Sequence, residues 1–190
     1  RRSSDLDMFE NNLDLCFRGA PPPCVTACPF GLDIRAFADK AAKGNFNAAL
    51  KLYRNAVAFP NIVARLCPAF CREACLRAAA DAPVALAELE RACANLAGKK
   101  DPPDYHLPPK AERVAVVGGG MSGLACAIRL AEKSYQVSVY EKTSRPGGQA
   151  RRLAGEAIFT QEFAREFQFI RYQLLLEQEI KDLGGLAADA

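Results

Sequence analysis

Residues 114–127 read VAVVGGGMSGLACA, and this stretch determines how the second half of the chain folds. Its first four residues form a short apolar run rich in β-branched side chains, which is typical of a buried parallel strand. A helix is predicted over residues 121–133 and a second strand over residues 136–140. The order strand, helix, strand predicts a right-handed crossover and a parallel sheet.

Three glycines between the first strand and the helix satisfy the pattern G-x-G-x-x-G. Gly118 permits the tight turn, Gly120 lets a pyrophosphate approach the backbone, and Gly123 lets the helix pack closely on the strand. The helix N-terminus then offers unbonded N–H groups and the positive end of its dipole to phosphates. The alternative is a glycine-rich turn in a similar fold that binds nothing.

Glu141 ends the second strand, where a carboxylate can accept hydrogen bonds from ribose hydroxyls. The fingerprint suits both NAD and FAD. Gly147-Gly148 follows closely, and this resembles the Gly-Gly pair that lines the flavin side of the site in many flavoproteins with two dinucleotide domains, which favours FAD. The predicted dinucleotide contacts are Gly118, Gly120, Met121, Ser122, Gly123, Glu141, Lys142, Gly148 and Gln149.

Composition narrows the class of protein. The chain has 190 residues, and its net charge of +3 is too small to indicate a nucleic-acid surface. No apolar run approaches the roughly 20 residues of a membrane span. The polar start, RRSSDLDMFENN, does not resemble a signal peptide, so a cytoplasmic location is expected. Because the chain starts without Met and stops at LGGLAADA, we expect it to be part of a longer polypeptide.

Cysteine is unusually frequent, with eight in the chain. Without a secretory signal, metal binding is a stronger interpretation than a disulfide framework. Thiolates suit iron–sulfur clusters and zinc, and both Cys28 and Cys67 precede a proline, as is common in cluster loops. Zinc is the second choice, because C-x-x-C knuckles are missing and His106 is the only histidine. Buried structural thiols are the remaining alternative.

The first hundred residues read as helical. Asp33 is predicted to cap a helix ending at Gly44, and further helices are predicted over residues 47–56 and from Pro83, the last carrying Leu86, Leu89, Cys93 and Leu96. Prolines and charges mark residues 99–111 as a linker. The predicted class is therefore α + α/β: a helical domain over residues 1–98, then part of a Rossmann-like domain over residues 112–190.

Four motifs in this order, CVTACP, ARLCPAFCREAC, APVALAELER and VAVVGGGMSG, resemble a known family. The chain is similar to the small subunit of bacterial glutamate synthase and its relatives. These include the N-terminal part of dihydropyrimidine dehydrogenase and the large subunit of the NADH-dependent ferredoxin:NADP oxidoreductase. The resemblance implies a helical domain with two [4Fe-4S] clusters, followed by an FAD-binding domain.

The resemblance also implies the cluster ligands. One cluster would use Cys28, Cys67, Cys71 and Glu90. The other would use Cys16, Cys24 and Cys75 with a fourth cysteine at the position that Gly19 occupies here, and glycine cannot bind iron. That cluster is expected to be absent, three-iron, completed by another residue or ligated by solvent. Cys93 is a candidate replacement, although a core thiol is the favoured reading, and Cys126 is expected to face the sheet.

The function implied is electron transfer between NAD(P)H, FAD and the clusters, to or from a larger catalytic or electron-transfer subunit of a hetero-oligomeric complex. No acid–base residue is predicted. Two alternatives remain open: a non-catalytic structural or adaptor subunit, and a zinc-stapled NAD-binding protein. Near the end of the chain, Phe159, Phe163, Phe167 and Ile170 recur at helical spacing, which predicts an amphipathic helix with a core face.

Overall fold

The computed structural model describes residue 16 and residues 20–98, 107–167 and 173–181. The chain forms two compact units, Arg1–Lys100 and Asp101–Ala190. His106, Gly19, Ile170 and most of the expected linker lie outside the described residues. The fold class expected from the sequence, helices first and a parallel sheet second, is confirmed.

The regular structure described in the first unit is helical. Its elements are α1 Pro23–Thr26, α2 Ile34–Ala42, α3 Phe46–Ala56, α4 Pro60–Leu66, α5 Phe70–Glu73, a 3-10 turn Leu76–Ala79, and α6 Leu86–Leu96. Asp33 accepts a hydrogen bond from the Ala36 N–H and caps α2, as predicted, and Asn45 caps α3 in the same way. The helices predicted from the sequence correspond to α2, α3 and α6.

The core of this unit lies where α2, α3, α5 and α6 contribute apolar side chains. Phe37 and Tyr53 are almost fully buried and their rings meet at 5.9 Å between centroids. Leu96, one of the apolar residues that the sequence placed on α6, is 61% exposed. It is the last residue of that helix, and the next residue, Ala97, is buried in the core.

The second unit contains a parallel sheet in the order β1-β2-β3. Its elements are β1 Arg113–Val117, α7 Met121–Ala131, β2 Gln136–Glu141, α8 Gln149–Ala154, α9 Glu156–Phe167 and β3 Gln173–Leu176. The predicted amphipathic helix corresponds to α9, in which Phe159 is buried. Because parallel strands present their carboxyl ends at one edge, the loops after β1 and β2 meet there.

Helix α7 covers one face of the sheet with Leu124, Ala127 and Ile128, which are all buried. Cys126 lies on the opposite side of α7 and is exposed, so the expectation that it faces the sheet is wrong. The expected burial of β1 holds for one face only. Val116 is buried beneath α7, whereas Val117 points to the other face and is 53% exposed among the described residues.

Gly123 sets how closely α7 approaches β1. A Cβ at this position would overlap the carbonyl oxygen of Gly118 and lie 3.3 Å from a methyl carbon of Val116. The helix can therefore reach the strand only because residue 123 has no side chain.

Gly123→Ala is expected to destabilise the second unit by about 3 kcal/mol, because α7 must move off β1 to admit the methyl group. Gly120→Ala is the matched control, since a Cβ at Gly120 meets no atom within 4 Å. Hydrogen exchange of the β1 amides reports the difference. Equal protection in the two variants would show that the close approach is not required.

Candidate functional site

Three cysteines and one glutamate of the first unit line a single recess. Cys28 follows α1, Cys67 ends α4, Cys71 lies in α5, and Glu90 reaches in from α6. The recess is otherwise mostly apolar, with the side chains of Pro29, Phe30, Leu32, Tyr53, Val57, Val63 and Phe70 around it. The four residues that the family resemblance assigns to one cluster are therefore brought together.

The backbone after Cys67 is shaped around its sulfur. Pro68 ends the helical hydrogen bonding, and Ala69 adopts a left-handed conformation with φ 61°. In this turn the Ala69 N–H donates to the Cys67 Sγ at 3.4 Å. Such N–H to sulfur contacts are among the interactions that tune iron–sulfur clusters.

The recess brings together three thiols and one carboxyl group, all of which become anionic when they lose a proton. Burial, followed by the neighbouring Glu90, Cys67 and Cys28, raises the pKa of the Cys71 thiol to about 11. Burial also raises the pKa of Glu90, although the Tyr53 hydroxyl opposes this. A thiol must lose its proton to bind metal, so a multiply charged cation in the recess would stabilise all four anions at once. The donor set therefore fits a metal centre.

Cys16, Cys24 and Cys75 form a second group of thiols. Burial raises the pKa values of Cys16 and Cys24, and in both cases the next cause is the proximity of Cys75. Contact between α1 and α5 brings the ends of these two short helices together. The Arg35 guanidinium donates to the Cys16 carbonyl at 3.3 Å and opposes the rise of that thiol's pKa.

Neither group resembles a site for one metal ion. Across residues 16, 20–98, 107–167 and 173–181, no three His, Cys, Asp or Glu side chains converge as ligands of one ion would. Zinc requires such convergence, with about four ligands around one point. In a cubic iron–sulfur cluster each ligand binds a different iron, so the ligands surround a larger body. A cluster therefore places its ligands further apart than a single ion does.

The other two cysteines lie apart from both groups. Cys93 is fully buried in the helical core, and the one neighbouring ionisable group that raises its pKa is Glu90, after burial itself. It therefore matches the core thiol that the sequence favoured rather than a replacement ligand beside Cys16. Cys126 is on the exposed side of α7 in the other unit.

In the second unit, the glycine loop connects β1 to α7 and is hydrogen-bonded to the end of β2. Gly118 has φ 102°, a conformation that favours glycine, and its N–H donates to the Tyr140 carbonyl at 2.7 Å. Gly120 ends the loop in extended conformation, and α7 begins at Met121. The first N–H groups of any helix lack partners within it, so Met121, Ser122 and Gly123 present theirs at the loop.

Glu141 is tied to this loop from the end of β2. Its Oε2 accepts a hydrogen bond from the Gly119 N–H at 2.6 Å, and its Oε1 accepts from the Thr143 N–H and hydroxyl at 2.9 and 2.8 Å. Burial would raise the pKa of Glu141, but these bonds outweigh it and hold the pKa below its usual value. The carboxylate is therefore ionised and fixed in place at the sheet edge.

The sequence reading missed Gly119 and Thr143. A Cβ at Gly119 would lie 3.0 Å from the Glu141 Cβ and 3.1 Å from its Oε2. The middle glycine of the run therefore admits the carboxylate, although it lies outside the G-x-G-x-x-G pattern. The run of three glycines was the available signal. Lys142 is exposed beside Glu141.

The Gly147-Gly148 pair lies against the glycine loop. The Gly147 N–H donates to the Gly119 carbonyl at 2.7 Å, and Gly147 forms a parallel bridge with Gly120. Gly148 adopts φ 53° and precedes Gln149, the first residue of α8. Gly148 thus lies close to Gly120, and Gln149 begins the helix that follows.

Two residues that the sequence reading did not assign to the site support this pair. Phe159 packs so closely on Gly147 that any Cβ there would overlap its ring. Arg151 lies over the Phe159 ring at 5.4 Å, donates to the Pro146 carbonyl at 3.0 Å, and pairs with Glu156. The glycine pair is therefore held by α8 and α9.

Each of the two units matches a known protein family. Residues 5–101, about half of the chain, match the family described as dihydropyrimidine dehydrogenase domain II, 4Fe-4S cluster. Residues 116–156 match the NAD(P)-binding Rossmann-like domain. No helix in the described part of the chain is both long and apolar enough to cross a membrane.

Curated relatives include three oxidoreductases. The chain is 33% identical to NADPH-Fe(3+) oxidoreductase subunit beta of Geobacter sulfurreducens, over 63% of this chain and 18% of that protein. It is 33% identical to NAD-dependent dihydropyrimidine dehydrogenase subunit PreT of Escherichia coli, over 66% and 31%. It is 30% identical to glutamate synthase [NADH] of Schizosaccharomyces pombe, over 88% and 8%. The chain spans less than a third of the length of each of these relatives.

The hydrogen bonds that Glu141 accepts predict that the stability of the second unit depends on pH. Its folded-state pKa is lowered, so its stabilising contribution is complete above the unfolded-state pKa of about 4.3 and is lost as the pH falls through the lower folded-state value. Glu141→Gln is expected to lower the thermal midpoint at neutral pH, and the difference from the native protein should shrink below about pH 4.

Thermal unfolding measured across this pH range tests the expectation. Glu179→Gln is the control, because Glu179 is an exposed carboxylate of the same unit. A difference between native protein and Glu141→Gln that stays constant with pH would show that the charge of Glu141 does not stabilise the loop.

Proposed function

Because this chain belongs to the dihydropyrimidine dehydrogenase domain II, 4Fe-4S cluster family, we propose that it acts as an electron-transfer module of an NAD(P)H-dependent oxidoreductase. The observation that carries the proposal is the recess that Cys28, Cys67 and Cys71 line together with the buried Glu90. The dinucleotide fold of the second unit supplies the other half of such a module.

In this proposal Cys28, Cys67, Cys71 and Glu90 hold one [4Fe-4S] cluster. A bound cluster would accept and release single electrons, and the apolar walls of the recess would keep water from it. The chain supplies three soft thiolates and one harder carboxylate oxygen. Since each ligand sits on a different helix or turn, the cluster would also tie α4, α5 and α6 together, much as a structural metal does.

Cys16, Cys24 and Cys75 are proposed to hold a second cluster with three protein thiolates. Gly19 stands where the family has a fourth cysteine, and glycine has no side chain that could bind iron. Arg35 places a positive charge beside Cys16, which would favour its thiolate. We therefore expect this second cluster to lose iron more readily than the one beside Glu90.

FAD is the dinucleotide proposed for the second unit, and it would supply the switch between hydride and single-electron chemistry. The N–H groups of Met121, Ser122 and Gly123 would bind the pyrophosphate, and Gly120 leaves the backbone open to it. Glu141 and Lys142 would contact the ribose. The choice of FAD over NAD(P) rests on the Gly147-Gly148 pair, which with Gln149 would line the flavin side.

The partner is proposed to be a larger catalytic or electron-transfer subunit. Two of the relatives are themselves named as subunits, and one of them is NAD-dependent. The nicotinamide would exchange hydride with the flavin, and electrons would pass through the clusters to or from that partner. We propose a cytoplasmic location, since reduced thiols persist there.

Cys71→Ser is expected to remove one cluster's worth of iron and acid-labile sulfide from anaerobically purified protein, because a serine hydroxyl is a poor replacement for a buried thiolate. Cys126→Ser is the matched control, since that thiol is exposed and belongs to the other unit. Iron analysis with electron paramagnetic resonance measures the change. Iron content that is unaffected by Cys71→Ser, or native protein with zinc in place of iron, would contradict the proposal.

Gly120→Ala is expected to weaken dinucleotide binding at least about tenfold, or about 1.4 kcal/mol, because the methyl group would occupy the path of the pyrophosphate. The fold should remain, since the methyl meets no protein atom. Titration with FAD and with NAD(P)H identifies the ligand. Binding of NAD(P)H but not FAD would overturn the choice of flavin, and equal FAD affinity in both proteins would remove the loop from the site.

A further inference from the structure

Tyr53 contacts the glutamate of the recess from another helix. It lies on α3, and its hydroxyl donates to the Glu90 Oε2 at 3.1 Å. Tyr53 is 1% exposed and Glu90 is 8% exposed. This hydrogen bond therefore forms inside the protein, where competition from water is weak and a bond to a charged acceptor is strong.

The position of Tyr53 is fixed from the side opposite the recess. Its ring packs on Phe37 of α2, which is fully buried, and α3 packs on both α2 and α6. Val57, which follows the last residue of α3, is buried and also lines the recess. Packing in the core thus fixes the Tyr53 ring, and the Tyr53 hydroxyl fixes one oxygen of the Glu90 carboxylate by a hydrogen bond.

The Tyr53 hydroxyl alone does not compensate the charge of a buried Glu90 carboxylate that lies beside thiols. Burying a charged group without full compensation costs several kcal/mol, and one neutral donor offsets only part of that cost. The three cysteines of the recess would add repulsion as thiolates. A cluster with a cationic core would offset part of this negative charge and would take up the carboxylate oxygen that Tyr53 does not contact.

We infer that Tyr53 is a positioning residue that orients Glu90 as a ligand through a single oxygen, an inference that rests on the cluster proposed for this recess. With Oε2 held by the hydroxyl, Oε1 would be the oxygen that binds iron. The hydrogen bond also withdraws charge from the carboxylate, which makes it a weaker donor. Hydrogen bonds to ligands favour the reduced cluster and so raise its reduction potential.

Tyr53→Phe tests the inference, because it keeps the ring and its packing on Phe37 and removes only the hydroxyl. In the anaerobically purified Tyr53→Phe variant we expect a full complement of iron, with a midpoint potential more negative than in the native protein and an altered paramagnetic resonance spectrum for one cluster. That cluster should also lose iron several-fold faster under mild oxidation. Tyr135→Phe is the matched control, since Tyr135 lies in the other unit.

A second comparison separates a positioning role from a structural one. In a Glu90→Ala background, Tyr53→Phe should produce no further change in the potential or the spectrum, since the carboxylate is gone. An unchanged potential and spectrum in Tyr53→Phe alone would overturn the inference while the clusters remain, and so would a shift of equal size in the Glu90→Ala background. Absence of iron from the native protein would instead overturn the proposed function, so the two failures are distinguishable.

Discussion

The fold of the first unit depends on how the negative charge that its recess concentrates is compensated. Three thiols and the carboxylate of Glu90 share one mostly apolar recess, and burial together with mutual repulsion raises the pKa of Cys71 to about 11. Helices as short as α1 and α5 cannot be stabilised by their own hydrogen bonds, since helix nucleation is costly. We therefore expect the cluster to be part of the fold of this unit as well as its redox centre.

The second unit uses the opposite electrostatic arrangement. The start of α7 and its loop present N–H groups to an anion, and the ionised Glu141 fixes the loop by accepting the Gly119 N–H. Because Glu141 is tied to both Gly119 and Thr143, the end of β2 and the glycine loop form one rigid edge. A preformed edge of this kind lowers the entropic cost of binding a dinucleotide.

The sequence predicted the parts of the site that follow a local rule. Glycine spacing gave the loop, and cysteine grouping with the family resemblance led to the side chains that share the recess. Contacts between distant elements were missed: Tyr53 is 37 residues from Glu90, and Phe159 is 12 residues from Gly147. The wrong details, Cys126 and Val117, concern which face of an element is covered, and that depends on the neighbours it meets in three dimensions.

The most direct test of the account is the Mössbauer spectrum of anaerobically prepared protein enriched in ⁵⁷Fe, because it resolves individual iron sites within a cluster. Three thiolates and one carboxylate predict a four-iron cluster in which one iron differs from the other three, and Glu90→Ala should change that iron alone. A spectrum in which every iron has the same sulfur environment, or in which Glu90→Ala alters nothing, would contradict the assignment of Glu90 as a ligand.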